Sequence, residues 1–166
     1  SSIAKCEFSM TTSSEWNSAS SFEQAEQSSG FLLWKTQLIW RRKIEQLLKP
    51  LQLTHPQFVI LVSLVYLTKD GTHVSQVELA RHSSCDITMT SQILRLLEKQ
   101  GLVTRVMLDG NEKNKYPALT TRGNELFTQA IKVVEAADAA FFGCLSSSEV
   151  SSLNTIFVKL TNFRSE

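Results

Sequence analysis

VSQVELARHSSCDITMTSQILRLLEKQGLVTRVM, residues 74–107, is the stretch whose reading decides the fold. Ser75 is placed to cap a short helix in which Val77, Leu79 and Ala80 face inward. Asp86 or Thr88 caps a second helix running to about Gln100, with Ile93, Leu94, Leu96 and Leu97 as its apolar side. Gly101 supplies the left-handed residue that stops it. Ala80 is small enough to let the two helices approach closely. Two strand-like runs follow, Leu102–Met107 and Lys115–Thr120, and Asp109-Gly110-Asn111 between them is a strong hairpin signal. A tight pair of short helices followed at once by a hairpin is the winged form of the helix-turn-helix.

Outward from this unit the chain reads as helix. Upstream, Thr54 with Pro56 just inside opens a helix through Phe58, Leu61, Val62, Val65 and Leu67, nearly all apolar and so expected at the centre of the core. Lys69-Asp70-Gly71 supplies the turn that ends it. Before that, apolar residues from Phe31 to Leu48 recur at three- and four-residue intervals until Pro50 breaks the pattern. Downstream, Thr121 is expected to cap a helix over Arg122–Phe142, and Ser146 opens a last one within Leu145–Phe163. The fold class is mainly α with a small β-hairpin wing. Residues 1–29, rich in Ser, Thr, Glu and Gln, have the composition of a flexible or partly helical segment, in which Met10 is a candidate natural start.

Composition narrows the class. A hydrophobic fraction of 42% over 166 residues suffices for a buried interior in an ordinary globular protein. Net charge is +1, so no global attraction for nucleic acid operates; the first thirty residues carry −3 and the remainder +4. Three cysteines, Cys6, Cys85 and Cys144, form no CxxC pair and point to reduced thiols in a cytoplasmic protein. The longest apolar stretch, Phe58–Leu67, is half the roughly 20 residues a membrane span needs, and the first thirty residues lack the pattern of a signal peptide. No membrane association, metal site or cofactor is expected. An enzyme finds no support, because no nucleophile–base set, carboxylate pair or phosphate-cradling glycine loop occurs at a useful spacing.

The second motif helix carries the chemistry. Opposite its apolar side stand Thr88, Thr90, Ser91, Gln92 and Arg95, with Lys99 further along. Hydroxyl, amide and guanidinium groups are the types that read base edges or hold phosphates in a major groove. No acidic residue lies between Asp86 and Glu98, so about three helical turns can face DNA without repulsion. The helix N-terminus adds a positive dipole end. Lys113 and Lys115 follow the hairpin turn and offer cations to the backbone or minor groove, and Arg105 on the entering strand is placed to reach phosphate.

From Leu79 to Gly123 the sequence resembles the MarR family of bacterial winged-helix regulators. The run from Val74 to Arg81 matches that family's first motif helix, and Thr88 to Val103 its recognition helix and the start of the wing. Leu119-Thr120-Thr121-Arg122-Gly123 matches a Leu-Thr-x-x-Gly signature. The resemblance spans roughly residues 31–163 and implies a homodimer acting on a pseudo-palindromic double-stranded DNA operator. It also implies a division into a helical dimerisation region, 30–53 and 122–163, and a DNA-binding lobe, 54–121. The family's wing carries Asp-x-Arg where Asn111 and Lys113 stand here; lysine lacks the forked guanidinium, so weaker wing contacts are expected. A small aromatic effector is a further expectation, with Trp34, Trp40, His55, Phe58 and Tyr66 as candidate lining residues. A peroxide-sensing cysteine near the start of the first long helix has no counterpart among Phe31–Trp34, and Cys85 and Cys144 read as small buried residues. The alternative function class is a winged helix used for protein contacts, without DNA readout.

Overall fold

The structure is a computed structural model and describes residues 14–110, 113 and 115–163. Cys6, Met10 and Asn111 lie outside the described residues. The chain divides after Ile39 into two compact units. The first holds α1 (Ser14–Ala19), a 3-10 turn (Ala25–Gln27) and the opening turns of α2 (Ser29–Leu48). Here Trp16 donates its indole N–H to the Phe22 carbonyl at 2.9 Å, tying α1 to the segment that follows. Phe31, Leu32, Leu33 and Trp34 are all exposed on this part of α2.

The second unit contains the rest of α2, then α3 (His55–Thr68), α4 (Gln76–Ser83), α5 (Ile87–Lys99), β1 (Val103–Met107), β2 (Lys115–Leu119), α6 (Thr121–Phe142) and α7 (Ser147–Thr161). α3 is its centre. Thr54 and Gln57 close a reciprocal cap, each side chain accepting from the other's backbone N–H at 3.2 and 3.1 Å. Ile60, Leu61 and Leu64 of α3 are fully buried, against Ile44 and Leu48 of α2, Leu79 of α4, Leu94 and Leu97 of α5 and Ala130 of α6. Burying such side chains contributes about 1.5–3 kcal/mol each, which fixes the helix-turn-helix on a rigid base.

The two strands pair antiparallel, with Val103 opposite Leu119 and Met107 opposite Lys115. The hairpin sequence signal is realised by positive φ at Asp109 and Gly110. At the base of the hairpin, the N-cap of α6 is Thr120, one residue before the expected Thr121. Its hydroxyl accepts from Gly123 N–H at 3.0 Å and donates to the Gly101 carbonyl at 2.7 Å, a pairing with a distant turn that local patterning does not reveal.

Two inward assignments fail on helix phase. Val77 is 47% exposed and Leu96 is 50% exposed. The buried side of α5 is set by Thr90, Ile93, Leu94 and Leu97, a three- and four-residue spacing that leaves position 96 on the flank. Among the described residues no single helix is long and apolar enough to cross a membrane.

Candidate nucleic-acid interface

α4 begins at a reciprocal cap: Ser75 Oγ accepts from Glu78 N–H at 3.2 Å, and the Glu78 carboxylate accepts from Ser75 N–H at 2.7 Å. These hydrogen bonds, the backbone one first, hold the Glu78 carboxyl below its ordinary pKa. α4 stops at Ser84, whose φ of 56° turns the chain into the left-handed region. Asp86 then caps α5, accepting from Met89 N–H at 2.7 Å. One N–H at the positive end of α5 is therefore met by a carboxylate, whose charge partly offsets the attraction of that end for phosphate.

The outward face of α5 presents Thr88, Gln92, Arg95 and Lys99, all exposed, with Ser91 half-buried beside them. Thr90 does not belong to this face. It is fully buried, and its hydroxyl donates to the Asp86 carbonyl at 2.9 Å. Its polarity suggested the surface, but it lies three and four residues before Ile93 and Leu94, and bonding to its own helix removes the cost of burial.

Arg105 is also placed differently from expectation. Its guanidinium makes an ion pair with Glu98, joining β1 to the last turn of α5, and both side chains are partly buried. Arg105 thus braces the wing against the helix. Lys113 and Lys115 are exposed on the hairpin turn and at the start of β2.

Four of the five expected effector residues, Trp40, His55, Phe58 and Tyr66, belong to the second unit and are spread along α2 and α3. Trp40 donates its indole N–H to Asp138 of α6 at 2.7 Å and meets the His55 ring edge-on at 5.0 Å. Burial lowers the His55 pKa, as does Arg41, while Glu45 and Asp138 oppose the shift. Phe58 is buried in the core. Tyr66 lies two turns further along α3, stacked on His82 at 5.4 Å with the Lys69 ammonium 4.1 Å over its ring. Trp34 is exposed on the first unit. A shallow cavity of about 360 Å³ lies where the end of α3 and the following loop meet β2, lined by Val65, Lys69, His73, Pro117, Leu119 and Asn124 among others. Nothing local in the sequence links Asp138 to Trp40, which stand 98 positions apart, or brings the lining residues of this cavity together.

Cys85 is half-buried, but Cys144 is exposed, contrary to the expectation of a small buried residue. Among the described residues, no group of three or more His, Cys, Asp or Glu side chains is arranged to hold a metal ion.

A helix-turn-helix with a polar outward α5, backed by a two-stranded hairpin at its C-terminal end, defines a winged helix-turn-helix protein. The model of the MarR family matches residues 53–115. The HTH-type transcriptional regulator YdcH of Bacillus subtilis (strain 168) is 38% identical over 135 residues, covering 81% of this chain and 90% of its own length. The HTH-type transcriptional repressor Rv2887 of Mycobacterium tuberculosis is 33% identical over 79% of this chain and 91% of its own. The crystal structure of Rv2887 in complex with DNA matches at a TM-score of 0.61 and 32% identity, over 80% of this chain and 97% of that one. In fold alone, CouR from Rhodococcus jostii RHA1 bound to p-coumaroyl-CoA matches at a TM-score of 0.75 and 22% identity, over 87% of this chain and all of its own. This chain belongs to the MarR family; it is a winged helix-turn-helix transcriptional regulator.

Proposed function

We propose that two copies of this chain bind a pseudo-palindromic DNA operator, each setting α5 into a major groove, and that a small aromatic acid modulates the binding. The observation that carries the reading is the outward face of α5. Thr88, Gln92, Arg95 and Lys99 stand exposed on one side while Ile93, Leu94 and Leu97 anchor the other in the core. Affinity comes chiefly from phosphate contacts, and discrimination from Thr88, Ser91, Gln92 and Arg95. Lys113 and Lys115 add backbone contacts from the wing. Relatives support both partners: Rv2887 has been crystallised with DNA, with salicylic acid and with p-aminosalicylic acid. In this chain Trp40 and His55, half-buried and in ring contact, are the best-placed aromatic groups for such an effector. Residues 30–53 and 122–163 form the dimerisation region and 54–121 the DNA-binding lobe.

The test is selection of duplexes from a random pool by the full chain, followed by anisotropy titration with the enriched sequence. Two chains per duplex and a steep loss of affinity with salt are expected. Arg95→Ala should weaken specific binding by about 1–3 kcal/mol. Unchanged affinity would remove Arg95 from the interface, and failure to enrich any duplex would overturn the reading.

Glu98→Gln should act in the opposite direction. Freed from its carboxylate partner, Arg105 becomes available to phosphate, so affinity at low salt should rise and the slope of log affinity against log salt should steepen by about 0.9 per chain. A slope equal to that of the parent would mean that Arg105 stays out of reach of DNA even when released.

A further inference from the structure

We propose that Ile87 reads the methyl group of a thymine in each half-site, an assignment that rests on the DNA-binding reading above. Ile87 is the first residue of α5 and is 54% exposed, whereas Ile93 and Leu94 on the same helix are 7% and 0% exposed. It is therefore a large apolar side chain that contributes little to the core, placed at the end of the helix that approaches base edges most closely in helix-turn-helix proteins. Its immediate neighbours on the outward side are polar: Thr88 is next in sequence, and Ser91 lies one turn on. In the major groove every base edge offers hydrogen-bonding groups, and the one apolar feature is the C5 methyl of thymine. Hydroxyls and amides cannot distinguish that methyl from the bare C5 of uracil; a branched hydrocarbon can.

The local geometry holds Ile87 in place. The Asp86 cap, through its bond to Met89 N–H, fixes the backbone on either side of Ile87. β-Branching then restricts its χ1, so little side-chain freedom is lost when the methyl docks. Burial of one methyl-sized group is worth about 0.8 kcal/mol, equivalent to about a fourfold change in affinity.

The experiment combines protein and DNA substitution. In the duplex enriched by the full chain, each thymine is replaced in turn by deoxyuridine, which deletes only the methyl. The parent should lose about fourfold in affinity at one thymine per half-site. Ile87→Ser should bind the thymine duplex more weakly, with no further loss on uracil at that position, and Ile87→Val should keep the discrimination. Circular dichroism of the variants should match the parent, because the side chain is half in solvent. If the duplex binds but no thymine is sensitive to methyl removal, or if Ile87→Ser loses the same factor as the parent, the Ile87 assignment falls while the DNA-binding reading stands. If no duplex is enriched at all, both fall.

Discussion

Gly123→Ala should cost this protein about 3 kcal/mol or more of folding stability, well beyond the usual effect of adding one methyl. A Cβ at this position would stand 2.0 Å from the Leu102 carbonyl oxygen and 3.0 Å from its carbon. Neither side has room to yield. Leu102 is buried, its carbonyl accepts from Thr120 N–H at 3.1 Å, and its own N–H bonds to Leu97 at the end of α5. Gly123 in turn donates to the Thr120 hydroxyl. Relief of the collision would pull the first turn of α6 away from the base of the wing and break these bonds together. Urea unfolding followed by circular dichroism is the direct measure. A midpoint shift equivalent to less than about 1 kcal/mol would mean that α6 can slide at this crossing, contrary to the close approach described.

The second large effect is expected in α7. No residue of this helix is fully buried, yet Leu153, Ile156, Phe157 and Leu160 recur at three- and four-residue intervals along it, the last three exposed. Such a stripe is the pattern of a surface completed by a second copy. Leu160→Asp should place an uncompensated charge there and weaken self-association by about 3–5 kcal/mol, between two and four decades in the dimer dissociation constant. Because the position is solvated within one chain, helical content should persist. Sedimentation equilibrium over a concentration series distinguishes the outcomes. A variant that stays dimeric at micromolar concentration would move the interface elsewhere, and one that becomes monomeric should also bind the operator far more weakly.

Much of this arrangement was readable from local chemistry. Thr54, Ser75 and Ser146 are recognisable as helix starts, as is Asp86 alongside Thr88, and the structure has each of Thr54, Ser75, Asp86 and Ser146 accepting a hydrogen bond from the backbone N–H three residues on. The turn at Asp109-Gly110 announced the hairpin, because few other residue pairs tolerate the backbone it needs. Errors arose where side-chain polarity and helix phase disagree. Thr90 reads as a surface residue by composition, but the spacing of Ile93, Leu94 and Leu97 carries it inward. Val77 and Leu96 read as core by composition and stand at the surface by phase. Bonds between distant elements leave no trace in the pattern: Arg105 reads as available to phosphate, but the fold sets it beside Glu98, and nothing near Trp40 in the sequence indicates Asp138.

The Thr120 hydroxyl, bonded at once to the turn after α5 and to the first turn of α6, gives the molecule a fulcrum. α6 has 22 residues and so extends about 33 Å from that point. Tilting such a lever by about 5° displaces its far end by about 3 Å, or, with that end held, moves the α5 end by the same amount. In the proposed dimer, a shift of the distal end of α6 would therefore be passed to α5 and alter the spacing of the two copies of that helix, with no change in the side chains α5 presents.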